Sequence, residues 1–361
     1  MPFDLKAHLK QLSETAAPSG HEGPVREAIT SAWTGLADEL HTDGLGSLIA
    51  SKRGTGPEPR RTIMLCAHMD EIGLLVAEVR DGFIRTEKLG GTDPRVLLHQ
   101  PVLVHGRRTL QGLFGAAPPH MSTDRKKYPG LEDLWIDVGL PASDVEALVR
   151  IGDLVTFDAP VVELKGERVA GKSFDNRVSV AAVTLCLDEL TRRAHSWDVI
   201  AVASAQEEYG GFGAITAAYQ VQPDIAIAVD ATFATQKGVD DDEGYALGGG
   251  PTISRGPNFH PLLVKVFRDL AKDLDVKLQV EAIPGASGTD AWLIQVSREG
   301  IPTLLIGIPM RNMHTPIEVV DLRDVTRAGR LMAEFVARLG PDFLDEIAWP
   351  VADDAQGKGD Q

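Results

Sequence analysis

The chain is poor in cysteine, in aromatics, in long apolar runs and in net positive charge. Two cysteines in 361 residues, Cys66 and Cys186, cannot build a disulfide framework. Both lie in apolar runs, which predicts buried, reduced thiols and a cytoplasmic protein. No run approaches the roughly 18 apolar residues of a membrane span. The opening MPFDLKAHLKQL has no signal-peptide apolar core. Lysine and arginine total 36 against 52 acidic residues, a net charge of −16. Such a field repels phosphate, so nucleic acid and anionic membranes are not expected partners, and it attracts dications. The hydrophobic share of 43% and charged share of 24% exclude a disordered or collagen-like chain.

What is present divides by character. Residues 4–36 read as two helices broken at Pro18-Ser19-Gly20, with Ser19 capping the second and Glu22 in the capping-box position. Ser47–Ala50 and Thr62–Ala67 read as strands. Between Ile72 and Lys165, strand-like stretches (Gly73–Val79, Pro101–His105, Leu154–Phe157) alternate with Gly and Pro, and only Ser143–Val149 reads as helix. From Asn176 helices and apolar strands alternate through Val325–Leu339, the pattern of an α/β domain with a parallel or mixed sheet. The expected divisions are 1–71 and 166–345 for an α/β domain, 72–165 for an inserted β-rich unit, and 346–361 for a polar, frayed tail.

Four apolar strands run into metal-ligand residue types. TIMLCA leads to His68-Met69-Asp70, VIAVASAQ to Glu207-Glu208, DIAIAV to Asp230, and TLLIGIPMRNM to His314. Open α/β sheets place their sites at the carboxyl ends of strands. Histidines and carboxylates, with no cysteine among the residues that end these strands, suit a catalytic zinc, cobalt or manganese centre. Two dications need about three acidic ligands and a hydroxide for neutrality. Asp230, Glu208 and Asp175, just before the helix at Val178, would supply the acids. Asp175 reads equally well as a helix cap. Asp70 could orient His68. Adjacent residues on an extended strand point opposite ways, so Glu207 and Glu208 can serve one site only if the strand ends or bends there. Gly210-Gly211 favours a bend.

A competing signal is Gly166–Ser173, which matches G-x-x-x-x-G-K-[ST]. That pattern points to a P-loop NTPase. Arg168 and Val169 are bulky for a phosphate cradle, and the reading leaves His68, Glu207, Glu208 and His314 without a task. Gly248-Gly249-Gly250-Pro251 reads as a turn.

The blocks Pro18–Glu22, Ala67–Gly73, Phe174–Arg177, Gln206–Glu208, Val229-Asp230, Gly288–Ala291 and Met313–Pro316 resemble the tetrahedral, or TET-type, metallo-aminopeptidases, whose relatives include bacterial glutamyl and deblocking aminopeptidases. The resemblance implies a three-layer α/β/α di-zinc exopeptidase-like domain with an inserted small β-barrel domain used in oligomerisation. It implies one metal on His68, Asp175 and Asp230, and another on Asp175, Glu208 and His314, the ions being zinc or cobalt. It also implies Glu207 as general base, Asp70 steadying His68, a peptide substrate, and assembly through dimers to a tetrahedral dodecamer. Asn176 stands where some relatives carry a second Asp. A di-metal amidohydrolase or deacylase, and an inactive metal-bound assembly subunit, are the other readings. The acidic run Asp240–Glu243 reads as a solvated loop. Were it to border the substrate pocket, it would favour a Lys or Arg first residue.

Overall fold

A computed structural model describes residues 3–118, 120, 128–240 and 243–349. Its backbone is one eleven-stranded mixed sheet with a closed six-stranded barrel beside it. Four parallel strands form the centre of the sheet, in the spatial order Asp198–Ser204, Thr62–His68, Ile225–Phe233, Thr303–Arg311. They are near-continuous runs of Val, Ile, Leu and Ala, as strands covered on both faces must be.

On one face lies the helix Phe174–Leu190, buried almost all round, with the helices Leu5–Glu14 and Leu322–Arg338 beside it. Helices Phe212–Val221 and Asp290–Ile294 cover the other face. Layering therefore follows the expected α/β/α form. The barrel runs in the order Gly73–Arg80, Phe83–Leu89, Trp135–Asp137, Thr109–Gly115, Pro101–His105, Leu154–Phe157, and encloses its own apolar core around Leu74, Val102, Phe114 and Val155. Closure removes every free strand edge from this small unit.

One expectation is corrected, and one reading argued against above is excluded. Ser19 is not a helix cap: the second helix spans Gly23–Trp33 and starts without a side-chain cap, and the Ser19 hydroxyl goes elsewhere. Glu22 accepts the amides of Gly20 at 2.7 Å and Gln206 at 3.1 Å instead, joining this corner to the end of a distant strand. Nor does Gly166–Ser173 form a phosphate loop. Arg168–Gly171 is a strand in an antiparallel hairpin with Val162-Glu163. Lys172 is buried, its Nζ 2.5 Å from Glu71 Oε2. Its charge has a partner inside the protein and does not face a ligand.

Cys66 and Cys186 are buried free thiols. Gly248 and Gly250 form the expected turn, with positive φ and amides held by Asp324. Among the described residues no helix is long and apolar enough to cross a membrane. Of the tail, residues 350–361 lie outside the described residues, as do Asp241 and Asp242 of the acidic run.

Candidate metal centre and substrate cleft

Register brings the strand ends together. His68 is level with Ser204 on one side. On the other, Cys66 pairs with Ala228, which puts Asp230 alongside His68 after two further residues. His68 and Ser204 end their strands, while the strand that carries Asp230 runs on to Phe233 along its other neighbour. After Ser204 the chain turns through Gln206, at φ +59°, into the single turn Glu207–Gly210. The strand has therefore ended before the acidic pair, and both carboxylates line the same cleft.

Asp175 lies in non-helical backbone at the head of the long helix. Its Oδ1 is 3.2 Å from His68 Nε2 and its Oδ2 is 3.3 Å from His314 Nε2. That placement answers the sequence ambiguity: the carboxylate faces two imidazoles, not helix amides. Two groups share it. Ligand-type atoms of His68, Asp175 and Asp230 lie within 4.8 Å of one another, as do those of Asp175, Glu208 and His314. Glu207 reaches in from the side, its Oε2 3.8 Å from His68 Nε2.

The electrostatics show a deficit of positive charge. Burial, with Asp175 close by, pushes the carboxyls of Glu208 and Asp230 well above their usual range. Burial raises Glu207 to about 8. Asp175 is buried too, yet the two imidazoles beside it hold its carboxyl below the usual range. Four carboxyls and two histidines in one enclosed site fit the demand of bound dications.

A layer of supporting contacts holds these groups. Fully buried Asp70 sets Oδ1 3.3 Å from His68 Nδ1, close but poorly aligned for a hydrogen bond. The same carboxylate accepts the amides of Glu207 and Glu208, each at 3.1 Å. It also accepts the Ser19 hydroxyl at 2.5 Å. Buried Glu318 accepts the amide of Asp175 at 3.1 Å on one oxygen and that of His314 at 2.9 Å on the other. Gly91 lies against His314, where a Cβ would come within 2.6 Å of the ring nitrogen. Sequence reasoning missed the roles of Ser19, Glu318 and Gly91. Only the spacing of Glu318, four residues after His314, offered any signal.

The centre opens into a cleft of about 630 Å³, ordinary for a small-ligand site. Tyr209, Thr232, Glu281, Ile283, Trp292 and Met313 line its outer part. Neither Asp240 nor Glu243 is among the lining residues.

Comparison with known proteins agrees with this geometry. The model of the family described as M42 glutamyl aminopeptidase matches residues 46–331. A lysyl aminopeptidase of Pyrococcus furiosus is 34% identical over 347 residues, covering 93% of this chain and 98% of that protein. Among solved structures, an aminopeptidase from the archaeon Desulfurococcus kamchatkensis superimposes with a TM-score of 0.89 at 36% identity, covering 96% of this chain and 98% of the other. A TET peptidase of Pyrococcus horikoshii, able to assemble into a tetrahedron or a large octahedral shell, gives 0.82 at 29% identity, covering 93% and 100%. A carboxylate shared between two histidines at the edge of an α/β sheet is thus found in a chain that belongs to the M42 glutamyl aminopeptidase family, and this protein is a metallo-aminopeptidase.

Proposed function

We propose that the cleft removes the N-terminal residue of peptides with two divalent ions, zinc or cobalt, in the paired groups. His68, Asp175 and Asp230 hold one, and Asp175, Glu208 and His314 the other. The observation that carries this reading is Asp175, which presents one oxygen to each histidine. Such ions, when bound, polarise a scissile carbonyl and lower the pKa of a water. Glu207 is the proton carrier. It stands at the cleft side of the paired groups, its Oε2 3.8 Å from His68 Nε2 and outside both ligand sets, where a carboxylate is placed to accept and return a proton. It takes the proton of the attacking water and passes it to the leaving amine. Asp70 keeps His68 in place and, through the two amides it accepts, ties Glu207 and Glu208 to the same carboxylate.

The test is elemental analysis alongside hydrolysis of aminoacyl p-nitroanilides. Two ions per chain are expected, with activity lost on chelation and restored by zinc or cobalt. The loaded protein should also melt at higher temperature, since ligands bound only by the folded state stabilise it. Persistent activity in metal-free protein, or a single ion at full activity, would overturn the assignment.

We also infer self-association through dimers to a hollow tetrahedral dodecamer, with the unit 72–165 supplying contacts. The shell-forming Pyrococcus horikoshii peptidase supports this reading. Light scattering gives the mass directly. Cytoplasmic residence belongs to the same proposal and rests on the two unpaired, buried cysteines.

A further inference from the structure

The outer cleft contains one carboxylate that the metal centre does not use. Glu281 lies on the strand Gln279–Ala282, which pairs with Thr252–Arg255 at the side of the sheet. Three hydroxyls converge on it: Thr232 Oγ1 donates to Oε1 at 2.6 Å, while Thr252 Oγ1 and Ser254 Oγ donate to Oε2 at 2.8 and 3.2 Å. All three donors are neutral. Among the described residues no Lys, Arg or His stands within ion-pair distance of it. Glu281 is only half-buried and lines the cleft, so its charge is oriented and left without a counterion.

Its distance from the reaction centre is set by the strand. Thr232 follows Asp230 by two residues, so both side chains point to one face about 7 Å apart. The neighbouring strand places Gly307 opposite Asp230, where a Cβ would fall 2.2 Å from the Thr252 hydroxyl. That glycine gives Thr252 the room to reach Glu281. Ile283, Leu305 and Met313 add apolar wall to the same cleft. A lysine side chain spans about 6 Å from Cα to Nζ when extended, with an apolar stem and a charged tip.

Resting on the aminopeptidase reading above, we propose that Glu281 selects a positively charged first residue, lysine or arginine. The ammonium or guanidinium neutralises the carboxylate, and the stem lies along the apolar wall. A glutamyl side chain meets a like charge, and a leucyl side chain covers the carboxylate without compensating it. The acidic element that acts on the substrate is therefore a single residue fixed by three hydroxyls.

The decisive comparison is lysyl against norleucyl p-nitroanilide, which share a four-carbon stem and differ in the charged tip. The metal-loaded wild-type protein should favour lysyl by about tenfold or more in kcat/KM, the scale of a hydrogen bond to a charged group. That ratio should shrink as salt is raised. In Glu281→Gln, which keeps an acceptor for the hydroxyls, the ratio should collapse toward one. Calorimetric binding of free L-lysine and L-norleucine to the loaded protein should show the same preference, and needs no turnover. A wild-type ratio near or below one overturns the proposal, as does a ratio that survives in Glu281→Gln. Failure to hydrolyse any aminoacyl substrate would count against the aminopeptidase reading, and the calorimetric preference would still decide the role of Glu281.

Discussion

Ser19 donates its hydroxyl to Asp70 at 2.5 Å, across 51 positions of chain. Asp70 is fully buried, accepts the amides of Glu207 and Glu208 on its two oxygens, and sets one of them 3.3 Å from His68 Nδ1. Without Ser19 one of those oxygens loses its shortest contact and has no route to water. Ser19→Ala is expected to destabilise the protein by about 1.5–3 kcal/mol, the range for hydrogen bonds to charged groups. It should weaken metal binding by about 10- to 100-fold, as loss of a ligand-orienting partner does. Ser19→Thr restores the hydroxyl and should recover most of both. Thermal melts and metal titration check the pair, and an unaffected metal affinity in Ser19→Ala would remove Asp70 positioning from the account.

Glu207→Gln separates metal binding from proton transfer. The carboxylate of Glu207 belongs to neither of the two ligand groups. Both ions should remain, while turnover falls by about 10²–10⁴-fold, the usual contribution of a positioned acid–base group. Stopped assays with parallel elemental analysis give the answer. A variant that keeps its rate excludes Glu207 as the proton carrier.

Lys172 distinguishes a phosphate loop from an internal ion pair. Its ammonium and the Glu71 carboxylate are both buried, and Glu71 also takes the Ala17 amide at 2.7 Å and the Ser173 hydroxyl. Lys172→Met leaves that carboxylate without its closest cation, at a cost of about 3–5 kcal/mol. Urea unfolding should show the loss. Calorimetry with ATP should show no binding to wild type. ATP binding that vanishes in Lys172→Met would revive the NTPase reading.

His8 gives a pH signature remote from the metals. Burial on the inner face of the first helix, against the long helix, lowers it from 6.5 to about 4, and its Nε2 sits 3.2 Å from the Thr184 hydroxyl. The folded state holds the ring neutral, whereas the unfolded chain protonates it below about 6.5. Its contribution is therefore complete above pH 6.5 and is lost as pH falls toward 4, up to about 3 kcal/mol. His8→Gln should lack this component. The check is the difference between wild-type and variant stability from pH 7 to 4.5, and a constant difference contradicts it.

Much of the architecture was legible because it is local. Runs such as TIMLCA and DIAIAV are apolar over a strand's length, and the first polar residue after each is a ligand type, so His68 and Asp230 stood out, although the second strand continues past Asp230 to Phe233. The break in pattern after Ile72 coincides with the barrel strand that starts at Gly73 for the same reason. The long helix was legible too, but not the non-helical backbone at its first residues, which turns Asp175 toward the histidines. Ser19 misled because a capping-box pattern is scored against neighbours, while its partner lies in another segment. The phosphate-loop match of Gly166–Ser173 was set aside on its bulky residues, but no local pattern reveals that its lysine pairs with a buried Glu71.

By itself, then, the amino-acid order determined where the four central strands begin and which ligand types follow their apolar runs. A continuous apolar run of strand length is set by neighbouring residues alone. Tertiary structure alone decided that Asp175 is shared by two histidines, that Glu318 ties the amides of Asp175 and His314, and that Glu281 meets three hydroxyls in the cleft. Those relations depend on strand register and on where distant segments close, and buried polar groups take whichever partners that closure brings within reach.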